Sequence, residues 1–301
     1  MILSKCPLRV SLVGGATDLI DFVKEHGKGS VISFPIDMYT YILLSHNHNN
    51  KYRINYLTPE TVDTIDEIKN DIAREVLKHF DLPPVTIVFN TDISSTGSGL
   101  ASSSSYTIAL VAAVNKFLNL NMTQLDICRT SLEIEHKFNP LTGYQDPYGC
   151  GLGGLKRLDF YPDVVEATYI EDSLLEKTNM YLVNTNSIRN SNDILNDIDF
   201  DKIIPLLNLV DELESNINNS NNFYKILNDA WKIKKKSSSL ISMNGVESIG
   251  NKLESDERIK AIKLCGAGGG GYFLVITEHY IHDSDFLEIN VEEKGVQVSE
   301  I

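Results

Sequence analysis

The sequence predicts an α+β protein of two packed lobes. Three observations predict it. A length of 301 residues suffices for one large domain or two medium ones. Strand-like runs interleave with helical patterns along the chain. The last strands flank a glycine cluster in an antiparallel return, rather than alternating with helices as in a doubly wound sheet. With 42% hydrophobic and 23% charged residues the composition is that of a globular chain, not a disordered one.

Val31 to Ser45 and Lys51 to Tyr56, rich in Val, Ile and Tyr, flank His46-Asn47-His48-Asn49-Asn50 and predict two strands around a polar turn. A helix is expected from Glu67 to Phe80, ended by Pro83 and Pro84. Val85 to Phe89 then has the β-branched density of a buried strand. Ile108, Leu110, Val111, Val114, Phe117 and Leu118 recur at helical spacing, so a helix should run from Ser103 to Leu118, and Thr123 should cap a second one reaching Phe138. Leu155 to Phe160 and Val164 to Tyr169 form an expected strand pair before a lobe boundary near residue 170, which divides 1–170 from 171–301. The second part is expected to hold a strand at Met180 to Val183, helices at Asp201 to Asn216 and Phe223 to Ser242, and strands at Ala261 to Leu264 and Tyr272 to Ile276.

A formal net charge of -14 argues against nucleic acid as a partner, because binding a phosphate backbone usually begins with a basic footprint. Local cations and backbone amides can still reverse the field inside one cleft, so an anionic small substrate stays open. The four cysteines, Cys6, Cys128, Cys150 and Cys265, lie far apart and form no CxxC pair, which fits a reduced cytoplasm. No stretch is long and apolar enough to cross a bilayer, and MILSKCPLRV does not read as a signal peptide, so a cytoplasmic protein without a membrane partner is expected.

Gly97-Ser98-Gly99-Leu100-Ala101-Ser102-Ser103-Ser104-Ser105 lies between a predicted strand and a predicted helix. It offers small residues, hydroxyls and unpaired backbone N–H groups at a helix N-terminus, which suits an anion and equally suits a plain N-cap. It is not a P-loop, since no GxxxxGK[ST] pattern is present. The segment resembles the second motif of the GHMP kinases, the superfamily of galactokinase, homoserine kinase and mevalonate kinase, with Ala101 in place of the second glycine. If Ala101 needs a positive φ, its Cβ costs about 1 kcal/mol.

Pro7 to Asp18 resembles the first motif of the superfamily, in its sugar-kinase form ending Thr17-Asp18. Lys263 to Gly271 contains GxGxxG but precedes a strand instead of opening a helix, so it resembles the third motif and not a dinucleotide fingerprint. Glu135 and Asp146, eleven positions apart, match the superfamily's magnesium-ligand glutamate and catalytic aspartate.

The resemblance implies a two-lobed GHMP kinase fold, with an N-terminal lobe like ribosomal protein S5 domain 2, a ferredoxin-like C-terminal lobe, and ATP with Mg²⁺ between them. Carried over residue by residue, it implies Asp146 and Arg9 as catalytic groups. It implies nucleotide contacts from Gly97 to Ser104 and from Gly266, Gly268 and Gly269, with Ser103 and Glu135 on Mg²⁺. For the acceptor it implies Arg9, Gly14, Gly15, Thr17, Asp18, Gly143, Gln145, Asp146 and Arg189.

Gly143-Tyr144-Gln145-Asp146-Pro147-Tyr148 followed by Gly153-Gly154-Leu155 looks like the signature of D-glycero-D-manno-heptose 7-phosphate kinases and related anomeric sugar kinases. The expected reaction is transfer of the ATP γ-phosphoryl group to an anomeric hydroxyl. Arg189, Lys156 and Arg157 are candidates, by charge alone, for holding a 7-phosphate. An unphosphorylated sugar such as fucose, galactose or another hexose remains the alternative acceptor, and a catalytically silent sugar sensor the alternative class. A homodimer is left open.

Overall fold

An 18-residue strand, β2 (Gly29–His46), is the spine of the first sheet. The computed structural model describes residues 1–94, 97–171, 174–187, 191–243 and 245–301. In chain order the first half holds β1 (Ile2–Val13), α1 (Ile20–His26), β2, β3 (Tyr52–Asn55), β4 (Glu60–Val62), α2 (Asp71–Phe80), β5 (Val85–Thr91), α3 (Ser102–Leu118), α4 (Gln124–Glu135), α5 (Gln145–Gly151), β6 (Lys156–Phe160) and β7 (Val165–Tyr169). The second half holds β8 (Asn179–Asn184), α6 (Ser191–Asn196), α7 (Phe200–Ile203), α8 (Pro205–Asn216), α9 (Ser220–Ser237), α10 (Gly245–Glu254), β9 (Ile259–Leu264), β10 (Tyr272–Thr277), β11 (Leu287–Ile289) and β12 (Gln297–Glu300).

The first sheet runs β12-β1-β2-β5-β3-β4, with β6 and β7 continuing from the other half of β2; the second runs β11-β8-β10-β9. Every pairing is antiparallel except β3 with β5. A register shift between Pro7 and Leu8 splits β1. Before it, Ile2 and Cys6 join Ile42 and Leu44 in a core shared with α3. After it, Leu8, Val10 and Leu12 join Phe34 and Ile36 in a core shared with α8, α9 and the second sheet, through Val210, Leu213, Phe223 and Leu274. Such a shift turns the following side chains over, and it leaves Arg9 facing α5 and the turn before α3. At about 2 kcal/mol for each large apolar side chain removed from water, this shared core holds the two halves together.

Local chemistry accounts for the expected helices. Asn70 caps α2 by accepting from Ala73 N, and Thr123 with Asp126 forms a capping box on α4. The helix expected over 201–216 breaks into α7 and α8 because Pro205 lacks the N–H needed to continue α7 and instead starts α8. The helix expected to reach Ser242 ends at Ser237, where Ser238 turns to extended backbone. The last strand, β12, pairs with β1 and so belongs to the first sheet, not with the elements that follow residue 170.

Candidate active site

The glycine-containing turn at 97–101 meets α3 at Ala101, which caps that helix at φ +62 with no side-chain cap. The first N–H groups of a 17-residue helix are therefore left without a capping oxygen, and Gly97 and Gly99 also sit at positive φ. Ser98 and Ser102 hydroxyls pair at 3.0 Å across the turn. Leu100 is buried as the hydrophobic anchor of the loop, and its carbonyl accepts from Arg9 N at 3.1 Å. Leu100 therefore fixes the loop without facing the cleft.

The glycine loop between β9 and β10 packs on this turn. Tyr272 N donates to Ser98 O, and a Cβ on Gly271 would stand 2.3 Å from that same oxygen. Gly266 and Ala267 line the cleft. Gly268 and Gly269 lie against Ile241, the latter donating to its carbonyl at 2.9 Å.

The two carboxylates come together beside α3. Arg9, 3% exposed, donates from Nη2 and Nε to Asp146 Oδ1 at 2.6 and 3.1 Å and from Nη1 to Gly99 O at 2.8 Å. Burial opposes the charge on Arg9, but the adjacent Asp146 raises its affinity for the proton above the usual arginine value. Glu135, at the end of α4, accepts from Ser104 Oγ at 2.6 Å, and burial pushes its carboxyl up to about 7 despite help from the Ser104 and Ser103 hydroxyls. Ser104 thus joins Ser103 at Glu135, one turn position beyond the serine singled out from sequence.

Asp18 is buried and lines the same cleft. Ala16 N, Gln145 N and Gln145 Nε2 donate to it, the last at 2.7 Å. Burial and then the charge of Asp146 raise its carboxyl to about 6. Gly143 packs against the same carboxylate, with room for no Cβ. Gly15 lines the cleft, whereas Gly14 and Thr17 lie behind it: Gly14 abuts Ser30 O, and the Thr17 hydroxyl donates to the Gly14 and Ser30 carbonyls. Those two residues shape the turn that presents Asp18.

Arg189 lies outside the described residues. Lys156 and Arg157 do not face the cleft. The Lys156 ammonium is buried among the carbonyls of Gly149, Leu152, Gly153 and Gly154 at the C-terminal end of α5, and burial lowers it to about 7. Arg157 pairs with Asp159 and with Asp211 and Glu214 of α8. Their charges are satisfied within the fold, which removes both as anion-pocket candidates.

The cleft, about 220 Å³, also takes in Asn139, Thr142 and Lys234. Sequence reasoning passed over all three. Asn139 and Thr142 follow Glu135 in the α4–α5 connection; Asn139 Oδ1 is buried without a hydrogen-bond partner among the described residues, and the Thr142 hydroxyl lies beside the Glu135 carboxyl. Their nearness to Glu135 was the available signal. Lys234 sits in the basic run Lys232 to Lys236, which reads as a solvated helix face.

Residues 67–154 match the family described as GHMP kinases N terminal domain. The chain is 25% identical to the D-glycero-alpha-D-manno-heptose 7-phosphate kinase of Campylobacter jejuni, over 92% of this chain and 89% of that one. The structure also superposes on a D-glycero-D-manno-heptose 1-phosphate kinase from Bacteroides thetaiotaomicron with TM-score 0.77, at 19% identity over 100% and 99% of the two chains. The chain has the fold of the GHMP kinases. The fold is equally that of Streptococcus pneumoniae phosphomevalonate kinase in complex with phosphomevalonate and AMPPNP, at TM-score 0.78 and 15% identity over 93% of each chain. The protein is an ATP-dependent phosphotransferase of the sugar-kinase type, and no helix among its described residues is long and apolar enough to cross a membrane.

Proposed function

We propose that this kinase transfers the γ-phosphoryl group of ATP to the anomeric hydroxyl of D-glycero-D-manno-heptose 7-phosphate. The observation that carries the proposal is the fork of Arg9 between Asp146 Oδ1 and Gly99 O, which ties a carboxylate to the uncapped start of α3. The C. jejuni relative, aligned over nine-tenths of the chain, supports the choice of sugar.

In this reading the triphosphate lies against Gly97 to Gly99, Ala101 to Ser104, Gly266 and Ala267, with the uncapped N–H groups at the start of α3 turned to it. Asp146 orients the acceptor hydroxyl and takes its proton, while Arg9 steadies the charge that develops there. Because phosphoryl transfer responds mainly to positioning and charge neutralisation, orientation carries more of the rate than the modest basicity of an aspartate. Asp18, held by Gln145, accepts from sugar hydroxyls, with Gly15 and Gly143 giving it room.

Glu135 and the Ser103 and Ser104 hydroxyls form an all-oxygen set whose buried carboxylate makes no ion pair among the described residues, which fits Mg²⁺. When bound, the ion would neutralise phosphate charge there. Residues 1–170 supply these groups in this proposal, and the elements after residue 170 supply the covering glycine loop.

The test is a substrate comparison. Turnover coupled to ADP release should favour heptose 7-phosphate over free heptose, fucose and galactose. Equal or better turnover of an unphosphorylated sugar would overturn the choice of substrate, and sugar binding without ADP release would leave a sensor.

A further inference from the structure

Lys234 lies in α9 within a run of four basic residues among five positions. Lys232 and Lys235 pair with Asp229 and Glu254 on the surface. Lys234 instead turns inward and lines the cleft, half-buried, with Nζ donating to Leu264 O at 3.1 Å and to Gly266 O. No carboxylate pairs with it among the described residues. An ammonium taken out of water beside two neutral carbonyls is under-compensated and favours an anion within reach. The cleft it faces is also lined by the uncapped start of α3.

We propose that Lys234 is a phosphoryl-binding residue of the cleft, taking an oxygen of a terminal phosphoryl dianion through the one ammonium proton not used by Leu264 and Gly266. The inference rests on the kinase reading above. That dianion has two sources: the terminal phosphoryl of the nucleotide, or the phosphate already on the sugar. The position of Lys234 couples either one to the covering loop, because the same nitrogen holds Gly266 O. Burial is also consistent with a poised cation, since it lowers Lys234 to about 8, with Cys265 and Asp18 working against the shift and Arg9 adding to it. Lys263, whose ammonium is buried on Ser11, is the other cation facing it.

The experiment compares wild type, Lys234→Met and Lys234→Arg, each checked by thermal unfolding, for binding of ADP and AMPPNP and for KM with heptose 7-phosphate and free heptose. If Lys234 takes the nucleotide's terminal phosphoryl, Lys234→Met weakens AMPPNP at least tenfold while ADP changes less than about threefold. If it takes the sugar's phosphate, KM for heptose 7-phosphate rises at least tenfold and that for free heptose does not. Either pattern, with Lys234→Arg retaining most of the discrimination, supports the proposal. As Lys234 loses its charge above about pH 8, the wild-type discrimination should fade there and that of Lys234→Arg persist. Equal weakening of all four ligands would assign Lys234 to holding the two carbonyls only, and unchanged binding would remove it from the site; both overturn the proposal. Wild-type protein that binds no nucleotide would instead sink the kinase reading beneath it.

Discussion

Gly99 and Gly266 touch back to back: a Cβ on Gly266 would stand 2.4 Å from the Cα of Gly99, and one on Gly99 would stand 2.6 Å from Cys265 O. The two glycine loops, far apart in the chain, are therefore spaced by the absence of side chains. Gly266→Ala should force them apart at a residue already at φ +66. Since the clash is with backbone and cannot be relieved by a rotamer change, the expected cost is at least about 2 kcal/mol in unfolding free energy, with loss of AMPPNP binding in titration. Wild-type affinity and stability would show that the loops do not need this contact.

The Arg9 fork makes a second prediction. Arg9→Lys keeps the charge but offers one nitrogen in place of a planar fork and cannot hold Asp146 and Gly99 together. It should lower kcat by about a hundredfold or more. Asp146→Asn leaves the buried Arg9 charge without its carboxylate, so it should lower stability by about 2 kcal/mol or more and reduce kcat by about 10² to 10⁴. Steady-state kinetics of the two variants check this; turnover of Asp146→Asn near wild type would remove the aspartate from the proposed step.

Ala101 sits at φ +62, so the cost anticipated for its Cβ is present in the structure. Ala101→Gly relieves a left-handed alanine and should raise stability by about 1 kcal/mol after allowing for the added freedom of the unfolded chain. Ala101→Val, β-branched at the same angle, should lower it by more. Urea unfolding of the three proteins, with and without ATP, reads both effects, and a destabilised Ala101→Gly would show that the alanine methyl contributes packing of its own.

Lys156 predicts a pH dependence of stability. Its folded-state value near 7 lies below the 10.5 of an exposed lysine. The unfolded chain therefore holds the proton more tightly, and stability should rise as pH climbs from about 7 toward 10.5, by up to about 1.4 kcal/mol per pH unit. Lys156→Met should be less stable overall, because four carbonyls lose their donor, and should lack that rise. Parallel stability profiles for the two proteins between pH 7.5 and 9.5 would contradict the assignment.

Much of the fold was legible because its signals are local. The apolar periodicity from Ile108 to Leu118, the cap at Thr123 and the β-branched run from Val85 each specify one element without help from the rest of the chain. α5 was not legible: Pro147, Gly149 and Gly151 give it poor helix propensity, and packing of Gly149 on the Arg9 side chain holds it in place. β11 and β12 are too short to show alternation and exist because long-range partners pair with them.

In the site, Arg9, Asp18, Glu135 and Asp146 were legible through motif spacing. The inward turn of Lys234 was not, because Lys232, Lys235 and Lys236 disguise it as surface charge. Lys156 and Arg157 misled for the converse reason: charge is visible in a sequence, but the carbonyls and carboxylates that neutralise it are not.

The pairing of β12 with β1 has a consequence for how the protein is made. Residues 297–300 close the edge of the strand that carries Arg9, and Ile301 N reaches Met1 O at 2.9 Å. The first sheet is thus finished only when the last of these residues has left the ribosome, although most of its strands emerge long before. During that interval β1 presents an open edge with unpaired N–H and C=O groups. Early folding of the first half leaves this edge of β1 unprotected, and the step that protects it brings residues 297–300 onto residues 2–5.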